Sequence, residues 1–181
     1  MKQHGEFYTT KLYSTIDEKT KTVVEKALHE NSVPREELHA EVFVFSHTDE
    51  GSITYTKESS SEEIRVSTQK RDIKESHTVF SVQKIDVVDG DPFFIFDALQ
   101  KKLVRQYTKA GSRHTLHSGK EEATLEIFKV SCAASKADPV PRWFVELSLC
   151  VPEAGQLRWC FEKGAEVSRW LSPHMELIAL G

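Results

Sequence analysis

The chain has 181 residues, of which 39% are hydrophobic and 29% are charged, and its formal net charge is −4 at pH 7. This composition is typical of a soluble globular protein and excludes a disordered chain. The acidic balance argues against a protein built around a nucleic-acid-binding face, and no apolar run approaches the roughly 20 residues of a membrane-spanning helix. We therefore expect no direct nucleic-acid partner, no membrane span and a single domain over residues 1–181.

The cysteines point to a reducing compartment. There are three of them, Cys132, Cys150 and Cys160, and their odd number and irregular spacing argue against a disulfide framework. Free cysteines persist where thiols are kept reduced, so the cytosol or the nucleus is the expected location. The first residues lack the apolar segment of a secretory signal.

The first two predicted elements are a strand over residues 6–13 and a helix directly after it. Thr15 is followed three residues later by Glu18, which is the spacing of a capping box for the first turn of a helix. Apolar residues then recur at spacings of three and four and form one stripe on the helix: Val23, Val24, Ala27 and Leu28. Residues 31–34, with the sequence NSVP, are predicted to end the helix.

From residue 37 the apolar pattern changes to a period of two, which predicts strands. Residues 37–45 become apolar on both faces toward their end, so we expect this strand to be covered on both sides. Residues 49–51 carry a hairpin signal, and residues 53–57 belong to the return strand. Two more strands are predicted over residues 64–71 and 78–88.

A second helix is predicted to start at Pro92, because Asp91 can cap it and proline suits a first helical position. Its apolar stripe consists of Phe93, Phe96, Leu99 and Leu103. Two long strands follow, over residues 104–116 and 123–132.

The C-terminal third has the clearest pattern. Residues 142–151 alternate strictly, with Trp143, Val145, Leu147, Leu149 and Val151 on one face. An amphipathic helix is predicted over residues 156–171, and residues 175–180 suggest an edge strand. Many strands with two or three helices, without strand–helix alternation, predict an α+β fold, namely a many-stranded antiparallel, partly open β-barrel with packed helices.

Acidic residues in the strands raise the possibility of a metal site. Glu41, Glu126 and Glu146 could hold a divalent cation inside a barrel, with nearby positive charge from Arg65, Lys84 and Arg105. A metal-dependent triphosphate hydrolase needs this combination of carboxylates and phosphate-binding cations. Glutamates in mid-strand are also common on the wet face of an antiparallel sheet. His114 and His117 lack a third ligand at a diagnostic spacing, so we assign them a surface or capping role.

Large aromatic residues are the other candidates for a site. Some pack in the core, whereas others can line a surface that receives a partner, where aromatic residues are enriched. The predicted partner-binding residues are Phe93, Phe94, Trp143, Trp159 and Trp170.

Taken in order, these elements resemble the subunit 18 family of the transcriptional coactivator Mediator. The resemblance begins with the first strand and helix and the strand LHAEVFVF at residues 38–45, and it includes FDAL at residues 96–99. The most specific segments come at the end: LEIFKV at residues 125–130, FVELS at 144–148 and PEAGQ at 152–156, before the closing helix.

The resemblance implies a nuclear, non-catalytic subunit of a Mediator head-like assembly, without a cofactor. It implies a heterodimer with the similarly folded Mediator subunit 20 and binding to a helix of Mediator subunit 8. The fold type is also related to the triphosphate tunnel enzymes, but His39 stands in the middle of what would be their first-strand acid motif. We therefore expect an apolar lumen and an outer docking surface, and the alternative is a metal-dependent triphosphate hydrolase or polyphosphate-binding tunnel.

Overall fold

The computed structural model describes residues 2–48, 51–58, 61–72, 77–86, 92–132 and 142–179. Within these residues lie eight strands, three α-helices and one short 3-10 helix. The strands are β1 (Lys2–Ile16), β2 (Arg35–Thr48), β3 (Gly51–Glu58), β4 (Glu62–Asp72), β5 (His77–Asp86), β6 (Leu103–His117), β7 (Glu122–Ser131) and β8 (Trp143–Val151). The helices are α1 (Glu18–Glu30), α2 (Pro92–Ala98) and α3 (Leu157–Leu171), and the 3-10 turn Ala154–Gln156 precedes α3.

The eight strands form one closed antiparallel barrel in the order β1-β5-β4-β3-β2-β6-β7-β8. Closure depends on the long strand β1, which pairs with β5 through residues 2–10 and with β8 through residues 8–16. The α+β barrel prediction is confirmed, and the barrel is closed where the sequence suggested a partly open one. Closure leaves the sheet without the free edge strands of an open sheet.

The main hydrophobic core lies outside the barrel wall, between the wall and helices α1 and α3. Strand β8 shows how the sequence produces this arrangement, because its residues alternate between the covered outer face and the lumen. Leu147 and Leu149 of β8 pack in the cluster that contains Leu28 of α1 and Leu171 of α3. Full burial of a leucine stabilises the folded state by roughly 1.5–3 kcal/mol, so these contacts hold both helices on the wall.

Helix α1 starts two residues later than the capping-box prediction. Strand β1 stays extended to Ile16 because residues 8–16 pair with β8, so Thr15 is part of a strand and cannot act as the cap. Asp17 caps the helix instead, and its carboxylate accepts a hydrogen bond of 2.8 Å from the backbone N–H of Thr20. The prediction that a helix begins here is correct, and the predicted capping residue is wrong.

Helix α2 covers a second apolar cluster, which lies on the outer face of β2, β3 and β4. Phe96 is buried there, with its ring centroid 4.2 Å from that of Phe45. The helix ends at Ala98, and Gln100 adopts a left-handed φ of 55° before the N–H of Lys101 bonds to the carbonyl of Phe96 at 2.8 Å. Leu99 and Leu103 therefore lie beyond the helix that was predicted to include them, and Asp91 lies outside the described residues.

The C-terminal segment packs Met175 into the main core and pairs with the backbone of β1 at one residue. Ile178 forms an isolated antiparallel bridge with Tyr13, with two backbone hydrogen bonds of 2.8 and 2.9 Å. The predicted edge strand over residues 175–180 is reduced to this bridge within the part of the chain that the structure describes. None of the described helices has the length and apolar character required to cross a bilayer.

Candidate functional site: the barrel lumen and the outer aromatic surface

The barrel encloses a polar cavity of about 490 Å³, and charged side chains line it. Five basic residues and five glutamates face it, together with an apolar strip from Leu38, Ala40 and Val42 of β2. The expectation of an apolar lumen is therefore wrong. The physical reason is that α1 and α3 cover the outside of β1, β7 and β8, so the apolar face of these strands points outward and the polar face points inward.

The first group of lumen charges is centred on Glu146 of β8. Its carboxylate lies 2.8 Å from the Lys11 ammonium and 3.9 Å from that of Lys109. Lys109 also bonds to Glu126 of β7 at 2.9 Å. Because these residues come from β1, β6, β7 and β8, the ion pairs join the strands on which the barrel closes.

Arg113 of β6 extends this group across the lumen. Its guanidinium donates two hydrogen bonds to the carboxylate of Glu58, of 2.6 and 3.0 Å, and one of 2.9 Å to Glu126. The bidentate contact to Glu58 raises the pKa of Arg113, and Glu126 adds to the effect. The guanidinium is thus held by two carboxylates of the chain itself.

A second, smaller group occupies β4 and β5. Glu63 forms ion pairs with Arg65 and Lys84, and the Lys84 ammonium lies 2.5 Å from the carboxylate. Burial by itself would raise the pKa of Glu63, but Arg65 and Lys84 outweigh this effect and lower it. Two cations here share one carboxylate.

The carboxylates of the first group are held in their charged form. Burial by itself would raise the pKa of Glu146, but the positive charges of Lys11 and Lys109 outweigh burial and bring the pKa to about 2. The pKa of Glu126 is also lowered: burial and the neighbouring Glu146 oppose ionisation, and Lys109 and Arg113 overcome both. Each carboxylate is therefore an ion-pair partner at neutral pH.

The structure brings together two of the three carboxylates that the metal hypothesis named. Glu126 and Glu146 are cross-strand partners in β7 and β8 and face the lumen, as do Arg65 and Lys84. Glu41 is exposed on the outer face, because its neighbours Ala40 and Val42 point inward. Arg105 is exposed as well. Among the described residues, no group of three or more His, Cys, Asp or Glu side chains is arranged to hold a metal ion.

The two histidines that were assigned a surface or capping role have different environments. His114 is 2% exposed under α1, and its Nε2 lies 3.0 Å from the Ser112 hydroxyl, which donates a hydrogen bond to Glu25. Burial lowers the pKa of His114. His117 is exposed and packs its ring 5.3 Å from that of Trp159. The surface assignment is wrong for His114 because α1 covers it.

The three tryptophans all pack against the main core with part of their surface exposed. The Trp143 indole N–H donates a 2.7 Å hydrogen bond to Glu18 at the start of α1. The ammonium groups of Lys21 and Lys129 lie 4.5 and 4.6 Å from the centroid of the same ring. Trp159 and Trp170 lie on α3. Each tryptophan thus has an intramolecular packing role, and any partner contact would use its exposed part.

Phe93 and Phe94, two of the three phenylalanines of α2, differ in exposure. Phe93 packs edge-to-face on Phe43 and Tyr55, with centroid distances of 4.9 and 5.7 Å. Phe94 is 77% exposed. Leu99, Leu103 and Val104, which follow in the chain, are exposed as well.

Sequence reasoning missed most of the lumen side chains. Lys11, Lys109, Arg113, Glu58 and Glu63 were not named, although each occupies an inward position in a strand with alternating burial. The available signal was the basic and acidic residues that recur between apolar ones along β6 and β7. This signal does not show which charged residues face one another, because that depends on how the strands pair.

The sequence matches no protein-family model and no curated protein. Solved structures do match. A chain of the Schizosaccharomyces pombe Mediator head module has a TM-score of 0.72 at 12% identity, and the match covers 96% of this chain and 98% of that chain. A conserved hypothetical protein of Pyrococcus furiosus has a TM-score of 0.63 at 15% identity, and a Pyrococcus horikoshii protein has one of 0.61 at 14%. Both matches cover 93% of this chain and 94% of the other. At these identities the likeness shows a shared fold.

Proposed function

We propose that the protein is a non-catalytic subunit of a transcription coactivator assembly of the Mediator head type. It forms a heterodimer with a related barrel subunit, binds a helix of a further subunit and acts in the nucleus. The observation that carries the proposal is the match in fold to a Mediator head chain over nearly the full length of both chains. The proposal treats residues 1–181 as one domain.

The outer surface supports a docking role. Of the predicted partner-binding residues, Phe94 is the most exposed and projects from a helix whose other face is anchored in the second apolar cluster. An exposed aromatic ring on a rigid support is a typical energetic centre of a protein interface. Phe93 packs on Phe43 and Tyr55 in the same cluster, whereas the three tryptophans lie at the main core and could offer their exposed parts on that other side of the barrel.

The lumen favours the same conclusion. Its basic residues could bind phosphate only if they were available, and each of the five forms an ion pair with a glutamate of the chain. The two lumen carboxylates of the metal hypothesis are likewise engaged by ammonium and guanidinium groups. The side chains that phosphate binding or a metal site would need are already engaged in ion pairs between strands of the barrel.

Affinity purification tests the proposal. A tagged chain is expressed in its own cells and recovered from nuclear extract, and the co-purifying proteins are quantified by mass spectrometry. We expect subunits of a Mediator-like assembly, including a second barrel of related fold. A Phe94→Ser variant should recover about tenfold less of at least one subunit, because a central aromatic contact is lost. The matched control is Val23→Ser, another exposed apolar residue, on α1.

Two outcomes would contradict the proposal. One is a wild-type chain that is recovered alone or only with an unrelated assembly. The other is a location confined to a compartment other than the nucleus, measured by imaging of the tagged protein.

A metal-dependent triphosphate hydrolase or polyphosphate-binding tunnel is the second candidate. The observation that favours it is the charged lumen, where Glu126 and Glu146 lie with Arg65 and Lys84. The balance of five basic residues and five glutamates weakens it, because the lumen carries no large excess of positive charge.

A further inference from the structure

Helix α1 is the more lightly held of the two helices that cover the main core. Two of its side chains, Val24 and Leu28, are buried, whereas α3 buries four residues. An element with few buried apolar contacts opens at low free energy, so its polar contacts matter more. One of these is the 3.0 Å hydrogen bond that the Ser112 hydroxyl of β6 donates to the carboxylate of Glu25 on α1.

His114 extends this contact into a chain of hydrogen bonds. Ser112 and His114 alternate along β6, so both lie on the outer face that α1 covers, and both are buried. The Ser112 hydroxyl has one proton, which it donates to Glu25, so it must accept from His114 across the 3.0 Å contact with Nε2. The neutral imidazole therefore carries its proton on Nε2, and Nδ1 is the unprotonated nitrogen.

Nδ1 of His114 lies where a proton would be poorly accommodated. It is buried and has no hydrogen-bond partner among the residues that the structure describes. The cross-strand partners of His114 are Arg35 of β2 and Leu125 of β7, a cation and a fully buried apolar side chain. A proton on Nδ1 would thus create an N–H that is buried without an acceptor, which is strongly unfavourable.

The charges around the imidazole act in the same direction. The charged groups that face His114 are Lys21 and Glu25 of α1 and Arg35 of β2. Burial lowers the pKa of His114; Glu25 opposes this effect, and Arg35 and Lys21 add to it. The Glu25 carboxylate is also engaged by the Lys21 ammonium at 2.7 Å. The neutral form of His114 is therefore the one that fits under α1.

We propose that the Glu25–Ser112–His114 chain is a pH-sensitive switch, which holds α1 on the barrel while His114 is neutral and releases the helix when Nδ1 gains a proton. Because the pKa of His114 is lowered from its ordinary 6.5, the contribution to α1 docking is present above this pH and is lost as the pH falls below it. This window lies above the range in which the lumen carboxylates titrate. The inference concerns this chain alone and does not depend on the proposed function.

Release of α1 would be a local event. The strand before the helix stays paired with β8 up to Ile16, and the strand after it pairs with β6 from Arg35 onward, so both ends of the segment remain fixed to the barrel. Val24 and Leu28 would leave the main core and expose apolar surface that is covered at neutral pH.

Hydrogen exchange of the full chain, followed by mass spectrometry at about pH 7.5 and about pH 5.5 and corrected for intrinsic exchange rates, tests the switch. We expect the protection of the α1 amides to fall about tenfold at the lower pH, as for a buried donor without an acceptor, while α3 keeps its protection. In a His114→Gln variant, which cannot gain this proton, α1 should be equally protected at both pH values. The matched control is His117→Gln, an exposed histidine of the same strand, which should respond to pH as wild type does.

An NMR titration of the wild-type chain labelled with 15N-histidine gives a second readout that needs no variant. We expect His114 to be in the Nε2–H form at neutral pH and to titrate with a midpoint below 6.5, and the loss of α1 protection should follow that midpoint. Four results would overturn the inference: an Nδ1–H tautomer, a midpoint at or above 6.5, α1 protection that does not change with pH, and a pH response of α1 that persists in His114→Gln.

Discussion

We expect the Glu146→Gln variant to lose about 3 kcal/mol of unfolding free energy at pH 7. The amide removes the negative charge that lies 2.8 Å from the Lys11 ammonium and 3.9 Å from that of Lys109. The magnitude follows from the pKa of Glu146, about 2 against an ordinary 4.5, because one pKa unit corresponds to about 1.4 kcal/mol. Urea unfolding followed by tryptophan fluorescence measures the difference.

The matched control for this prediction is Glu162→Gln on α3. Glu162 also pairs with a cation, Arg158, at 2.7 Å, but both side chains are exposed. Exposed pairs at this helical spacing contribute about 0.3–0.5 kcal/mol, so the control should lose no more than that. Equal losses in the two variants would show that the lumen ion pairs do not stabilise the barrel.

The same group sets the acid sensitivity of the wild-type chain. Because the folded-state pKa of Glu146 is depressed to about 2, its stabilising contribution is complete above about pH 4.5 and is lost as the pH falls toward 2. Glu126 and Glu63 shift in the same direction and add to the loss. The Glu146→Gln variant should therefore lose stability less steeply over this range, and a curve parallel to wild type would contradict the account.

The Gly111→Ala variant should be destabilised by about 3 kcal/mol. Gly111 lies in β6 between Leu38 of β2 and Phe128 of β7. A Cβ at this position would overlap the carbonyl oxygen of Ile127 and come within 2.7 Å of the Phe128 Cα. Both are backbone atoms, so β6 and β7 must move apart and weaken their hydrogen bonds. Thermal or urea unfolding measures the loss.

The same substitution at Gly155 is the control, because no atom lies within 4 Å of a Cβ placed there. Its effect should stay within about 0.5 kcal/mol, as for other surface changes. If the two alanine variants were equally stable, the close approach of β6 and β7 at Gly111 would be refuted.

The first and last residues of a strand or helix could be predicted where they depend only on neighbouring residues in the sequence. The alternation of residues 142–151 and the stripe of the last helix gave β8 and α3 almost residue by residue. The capping residue of α1 was not predictable, because the long-range pairing of β1 with β8 keeps Thr15 extended. Local rules identify an element, and tertiary pairing decides where it stops.

The nature of the lumen was not predictable from the same patterns. Alternation shows that a strand has two unlike faces, but it does not show which face points into the barrel. Helices α1 and α3 decide this by covering the outer face, and the ion pairs then join residues far apart in sequence, such as Lys11 and Glu146. The exposure of Phe94 depends in the same way on how α2 lies on β2.

The central claim is that the charged groups of the lumen are paired with one another and that the protein acts through its outer surface. Titration calorimetry of the full chain with tripolyphosphate, with and without magnesium, tests this claim most directly. We expect no saturable binding tighter than about 1 mM and no release of phosphate, because the lumen cations are held by Glu58, Glu63, Glu126 and Glu146. Micromolar binding that an Arg113→Gln variant abolishes, or phosphate release above background, would contradict the account.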